Sequence, residues 1–96
     1  MSKGSTGKQA RFYRVRGRVQ GVGFRYFVEH SAQQLGVTGW VRNADDGSVE
    51  VYAAGTSAQL SDLAGLLWKG PRFAEVRGVD ESEARLESHA GFLIRP

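Results

Sequence analysis

The run Arg18-Val19-Gln20-Gly21-Val22-Gly23-Phe24-Arg25 places two glycines and an arginine where a β-branched segment gives way to helical spacing. Glycines lack a Cβ, so such a loop can take positive φ and turn several backbone N–H groups toward one point. The first turn of the following helix adds unpartnered N–H groups and a partial positive charge. The amides of Gln20, Gly21, Val22, Gly23 and Phe24 would then cradle an anion, and phosphate suits such a site. Arg25 adds a planar, permanently charged fork that can hold two oxygens of one phosphoryl group. A helix start favours Asp or Ser over a cation, so an arginine there argues for a ligand. The glycine pair alone is equally consistent with a tight turn. It is not a nucleotide motif, because Tyr26 stands where a dinucleotide fingerprint needs glycine and no Gly-Lys-Ser/Thr follows.

The remaining polar candidates are weaker. Asn43 reads from its spacing as a turn former at a hairpin entry. Its amide could also hold a water in line with a phosphoryl group, and the two readings stand side by side. Glu29 and His30 are consecutive on a helix and cannot point the same way, and His89 sits in an acidic stretch, so all three read as solvated surface. The shortage of a general base points to a substrate with a good leaving group, for which positioning and charge stabilisation suffice. Acyl phosphates fit that better than phosphate monoesters. Trp40, Phe24 and Phe27 lack the alternating pattern of an RNA-reading strand and read as packing residues. There are no cysteines, which removes thiol catalysis, disulfides and thiolate metal sites, and His30 and His89 show no metal-ligand spacing.

The elements that position these residues follow from periodicity. Residues 1–10 are polar and rich in Gly, Ser and Lys, read as a flexible tail with no signal sequence, and residues 11–96 form one domain. From Arg11 the chain alternates, with Tyr13, Val15, Gly17 and Val19 on one face and Phe12, Arg14, Arg16 and Arg18 on the other, which predicts a strand. Phe24, Val28, Ala32 and Leu35 predict a helix that Gly36 stops. Val37 to Asn43 and Ser48 to Ala53 read as strands joined by a turn at Ala44-Asp45-Asp46-Gly47. Thr56 and Gln59 form a capping box before Leu60, Leu63, Ala64 and Leu67, and Gly70-Pro71 ends that helix. Phe73 to Val79 and Phe92 to Ile94 complete the strands, with a solvated acidic connection between them. The order β-α-β-β-α-β plus a short C-terminal strand predicts an α+β, ferredoxin-like split βαβ sandwich, an antiparallel sheet of order 4-1-3-2 with two helices on one face. Strands one and two then run in the same direction with strand three between them. Arg25 and Asn43 are expected at one edge, across two inter-strand spacings of about 9.5 Å in total.

With 41% hydrophobic and 24% charged residues and no long apolar run, the 96-residue chain reads as a soluble globular domain with no transmembrane segment. The net charge of +3 falls to +1 without Lys3 and Lys8, weak grounds for a nucleic-acid surface. Charge is uneven instead. Arg11, Arg14, Arg16, Arg18 and Arg25 fall within fifteen residues free of acids, whereas Glu75 to Glu87 holds five acids and two arginines. A positive field around the first strand and its loop is expected to draw phosphorylated molecules in.

Val19 to Arg25 and Gly39-Trp40-Val41-Arg42-Asn43, with Asp46-Gly47-Ser48-Val49-Glu50, Gly70-Pro71, Ala74-Glu75-Val76 and Phe92-Leu93-Ile94, resemble the acylphosphatase family over roughly Tyr13 to Arg95. The resemblance implies a hydrolase that cleaves the carboxyl-phosphate bond of small acyl phosphates, without metal, cofactor or covalent intermediate. It implies that Arg25 binds the phosphate and Asn43 orients the attacking water. Inorganic phosphate is expected as product and inhibitor, with no nucleic-acid or membrane partner and a monomeric chain, and the polar leading segment without an apolar h-region points to a cytoplasmic location. The rival expectation is a noncatalytic anion- or RNA-binding module on the same sandwich, like the acylphosphatase-like modules inside hydrogenase-maturation proteins.

Overall fold

The computed structural model of the protein describes residues 7–96. Its elements are β1 (Gln9–Arg18), α1 (Phe24–Leu35), β2 (Thr38–Asn43), β3 (Val49–Gly55), α2 (Ser57–Lys69), β4 (Glu75–Ala84) and β5 (Phe92–Ile94). Both helices start and stop where local chemistry dictates. Gly36 takes φ 80° beyond Leu35 and returns its N–H to the carbonyls of Ala32 and Gln33, closing α1. At α2 the Thr56 side chain accepts from the Gln59 N–H while Gln59 Oε1 accepts from the Thr56 N–H, a complete capping box.

The sheet has the order β4-β1-β3-β2-β5. Its helix-facing side supplies Tyr13, Val15, Val41, Val49, Val51 and Ala53 to the core, which Phe24, Val28 and Ala32 of α1 and Leu60, Leu63 and Leu67 of α2 complete. These residues lie at i, i+4 or i, i+3 spacing on each helix, so one stripe of each is buried and the opposite stripe is solvated. Tyr13 reaches through this core, its hydroxyl donating to the Leu60 carbonyl at 3.2 Å. Burial pushes the Tyr13 phenol up to about 12, with Glu81 adding to the rise and Arg11 opposing it.

β3 is antiparallel to both β1 and β2, so β1 and β2 run in the same direction with β3 between them, as the sequence predicts. Val15 and Asn43 both lie opposite Val49. The ends of β1 and β2 therefore emerge at one edge of the sheet, with the loop to α1 beside the turn to β3.

Three expectations need correction. The sheet is mixed, because β5 pairs parallel with β2 from Gly39↔Phe92 to Val41↔Ile94. β4 ends opposite Ala10, at the edge where β2 begins, so a chain returning from there to the free side of β2 can only run along with it. Tyr52 fastens this return, its hydroxyl donating to the Arg85 carbonyl and accepting from the Glu87 N–H, both at 2.7 Å. Second, the acidic segment is not a solvated connection through Ala84. Asp80 to Ala84 extend β4 as an edge strand along β1, with Asp80 bonded to Arg16 and Glu81 3.9 Å from Arg11. Opposite charges across two strands hold the pairing, and charged side chains on an exposed edge discourage further strand addition. Third, Gln9 and Ala10, assigned to the tail, belong to β1 opposite Gly55 and Ala54. The tail at residues 1–6 lies outside the described residues.

Candidate active site

The loop from Val19 to Gly23 turns the chain from β1 into α1. Val19 is buried and anchors its start. Gly21 and Gly23 have φ 75° and 79°, and a Cβ on either would meet nothing within 4 Å, so glycine is required there by the backbone conformation and not by space. Gly23 is the N-cap of α1 and provides no side-chain cap, and no acid lies in the first turn. The first α1 hydrogen bond runs from Phe27 N–H to Gly23 O, leaving the preceding N–H groups free to face an anion. Phe24 is buried and fixes this end in the core. Arg25 follows, and among the described residues it makes no ion pair and no hydrogen bond.

Asn43 is the last residue of β2. Its Oδ1 is buried and accepts no hydrogen bond from the described residues. The turn behind it is heavily braced. Ala44 N–H donates to Ser48 O at 2.8 Å, and Asp46 Oδ1 accepts from both the Ser48 N–H at 2.9 Å and the Ser48 hydroxyl at 2.6 Å. These bonds to Ser48, with Arg14 nearby, hold the Asp46 carboxyl below the usual carboxylate range. From the outer face of the sheet Arg14 donates to Asp46, Ser48 and Glu50, and Arg42 donates to Glu50 at 2.7 Å. From the loop, Gln20 Nε2 donates to Ala44 O and Ser48 O.

Gly21, Gly23, Phe24, Arg25 and Asn43 line one cavity of about 200 Å³, joined by Val19 and Tyr26. Gln20 and Val22 do not line it: the Gln20 side chain is committed to the turn, and Val22 packs partly against the core. The two residue types singled out for anion chemistry thus meet, as β-strand order demands. The charge distribution is more local than the sequence suggests. Arg11, Arg14, Arg16 and Arg42 are each within ion-pairing distance of an acid, so much of the charge along the sheet is compensated, and Arg25 is the cation that lines the cavity.

The sequence missed the bracing by Gln20 and Arg14 and the place of Tyr26, a residue 70% exposed. Asp46-Gly47-Ser48 carried part of the signal, since an Asp side chain bonding the N–H two residues on is the expected turn chemistry. The long-range partners carried none. Neither histidine is near the cavity. His30 is exposed on α1, and His89 stands 5.4 Å from the Tyr52 ring, in a groove with Thr38 and Ala54 at the far end of β2. Replacing either, as His30→Ala or His89→Ala, should leave turnover of an acyl phosphate within a few-fold in a steady-state assay. A loss of about 10²-fold or more, the scale of a missing general acid or base, would contradict this placement.

Comparison with known proteins agrees with the geometry. Residues 11–94 match the family model described as acylphosphatase. The acylphosphatase of Solibacter usitatus is 54% identical over 96 residues, an alignment covering 99% of this chain and all of that one. The solved acylphosphatase of Coxiella burnetii superposes with a TM-score of 0.90 at 36% identity, over 99% of this chain and all of the other. Full-length HypF in its phosphate- and nucleotide-bound form contains a similar fold, with a TM-score of 0.89 at 25% identity, covering 95% of this chain and 12% of that one. The chain belongs to the acylphosphatase family, whose activity is the hydrolysis of acyl phosphates.

Proposed function

We propose that the cavity between α1 and the end of β2 holds the phosphoryl group of a small acyl phosphate, with Arg25 as its charge partner and Asn43 as the residue that orients water. The observation that carries this reading is the meeting of Arg25, paired with no acid among the described residues, with Asn43 at a helix start that has no side-chain cap. The N–H groups of Gly21, Gly23 and Phe24, which line the cavity, and the Arg25 fork stabilise charge on the equatorial oxygens as the bond to the carboxylate lengthens. Water attacks phosphorus from the opposite side, held by the Asn43 amide. The P–O bond to the acyl group breaks, the electron pair leaves with the carboxylate, and a phosphoryl oxygen takes the water's proton. A carboxylate leaves without protonation, so no general acid is required. Nothing in this scheme uses a metal, and chelators are expected to leave the rate unchanged.

The alternative, a noncatalytic RNA-binding module, finds less support. Trp40 stacks on Tyr52 at 6.1 Å between centroids and carries Arg95 at 4.7 Å from its ring centre, so its ring already has partners within the chain. On the same face Arg14, Arg16 and Arg42 are paired with acids.

Benzoyl phosphate hydrolysis followed spectrophotometrically tests the activity, and inorganic phosphate tests the site. Phosphate should inhibit competitively and raise the melting temperature of a monomeric protein. At a hundredfold excess over Kd it adds about 2.7 kcal/mol of native-state stability, a rise on the order of 10 °C for a domain of this size. An unmoved melting temperature with noncompetitive inhibition would remove the phosphate from this cavity.

A further inference from the structure

Gln20 begins the loop yet turns its side chain away from the cavity. Its Nε2 donates to Ala44 O at 2.8 Å and to Ser48 O at 2.9 Å. Both amide hydrogens are therefore spent on the two ends of the β2–β3 turn, which the Ala44 N–H to Ser48 O bond also closes. One carboxamide links the segment that ends in Arg25 to the turn that begins after Asn43. The link matters because Asn43 has little hold of its own: its Oδ1 accepts no hydrogen bond among the described residues. The place of its amide is then set by its backbone, and the peptide that follows Asn43 is the one whose neighbour Gln20 grips.

We infer that Gln20 is a positioning residue of the reaction, tying the phosphate loop and the β2–β3 turn into one unit so that the Asn43 amide keeps its register against a phosphoryl group on Arg25. This rests on the roles proposed for Arg25 and Asn43. Gln20 touches no substrate through its side chain. Its contribution is geometric, and displacements of about 1 Å at a reacting centre can cost on the order of 10²-fold in rate. Ground-state phosphate depends instead on the loop and Arg25, both of which survive loss of the carboxamide. Gln20 should therefore act on kcat and leave phosphate affinity alone.

Gln20→Met keeps the length of the side chain and removes both donors. With benzoyl phosphate, kcat should fall about 10- to 100-fold while the inhibition constant for inorganic phosphate stays within about threefold. In an Asn43→Ala background, assayed at high enzyme concentration, the same change should cost no more than about twofold, because the group it positions is gone. Gln20→Glu gives a second, independent arm. Its carboxylate cannot donate to two carbonyls but its protonated form can donate to one, so its rate relative to the parent should recover as pH falls through the carboxyl range. This arm decides the matter if Gln20→Met fails to fold by circular dichroism, and a flat ratio across pH would overturn the inference. So would a folded Gln20→Met with kcat near the parent's, an equal loss of phosphate affinity, or an undiminished loss in the Asn43→Ala background. The two levels fail separately: an active Asn43→Ala removes the water-orienting role, whereas an inactive Asn43→Ala beside an active Gln20→Met removes only the role of Gln20.

Discussion

Arg25→Ala should abolish turnover and phosphate binding together. The acids of the surrounding surface are engaged with Arg14, Arg16 and Arg42, and no second cation lines the cavity to take over the charge. An arginine placed on a transferring phosphoryl group is worth about 10³-fold or more in rate, and its loss also leaves the bound anion without its charge partner. Inorganic phosphate should therefore cease to inhibit and cease to raise the melting temperature. Arg25→Lys should recover little of either, since an ammonium is a point charge and cannot present two parallel N–H groups to two oxygens. The fold should survive, because among the described residues Arg25 makes no ion pair or hydrogen bond whose loss would be felt. A lysine variant with near-parent kcat would show that charge alone, without the fork, is enough.

Asn43→Ala should separate what Arg25→Ala joins. If the amide orients water, its contribution appears in the transition state and not in the bound phosphate. Turnover should drop by about 10²- to 10³-fold, the scale of losing one well-placed polar group at a reacting centre, while phosphate inhibition stays near the parent value. Folding must be checked by thermal melting, but the expected stability change is small. Among the described residues no donor reaches the Asn43 Oδ1, so its removal breaks no hydrogen bond within the protein. A folded Asn43→Ala that keeps most of its activity would sink the water-orienting assignment.

The helices were legible because their limits are set by local chemistry. Gly36, Thr56 with Gln59, and Gly70 act within a few residues of themselves, and the apolar spacing between them needs no knowledge of the rest of the chain. The meeting of Arg25 with Asn43 was legible for a different reason: once the element order is known, the direction of β1 and β2 follows. The second half of β4 was not. Its acids read as solvated because their partners lie far off in sequence, Asp80 being 64 positions from Arg16. The parallel seat of β5 depends on where the connection crosses the sheet, which Tyr52 settles through main-chain groups that carry no residue type. Gln20 was noticed for its backbone and not for its side chain, since the carbonyls it grips are equally anonymous.

The seat of β3 between β1 and β2 also sets an order in time. Arg25 follows β1 and Asn43 ends β2, two strands that never touch each other, and only a strand later in the chain than either brings them into line. Each pairing with that strand closes a loop, so the entropy of both closures must be met before the two side chains can share one anion. Helix α1 and its glycine turn need no such wait, because their contacts are near neighbours in sequence. During folding the loop proposed to hold the anion can therefore form before Asn43, the residue proposed to orient water, is seated. On the roles proposed for Arg25 and Asn43, catalytic competence would be acquired only when β3 takes its seat between β1 and β2.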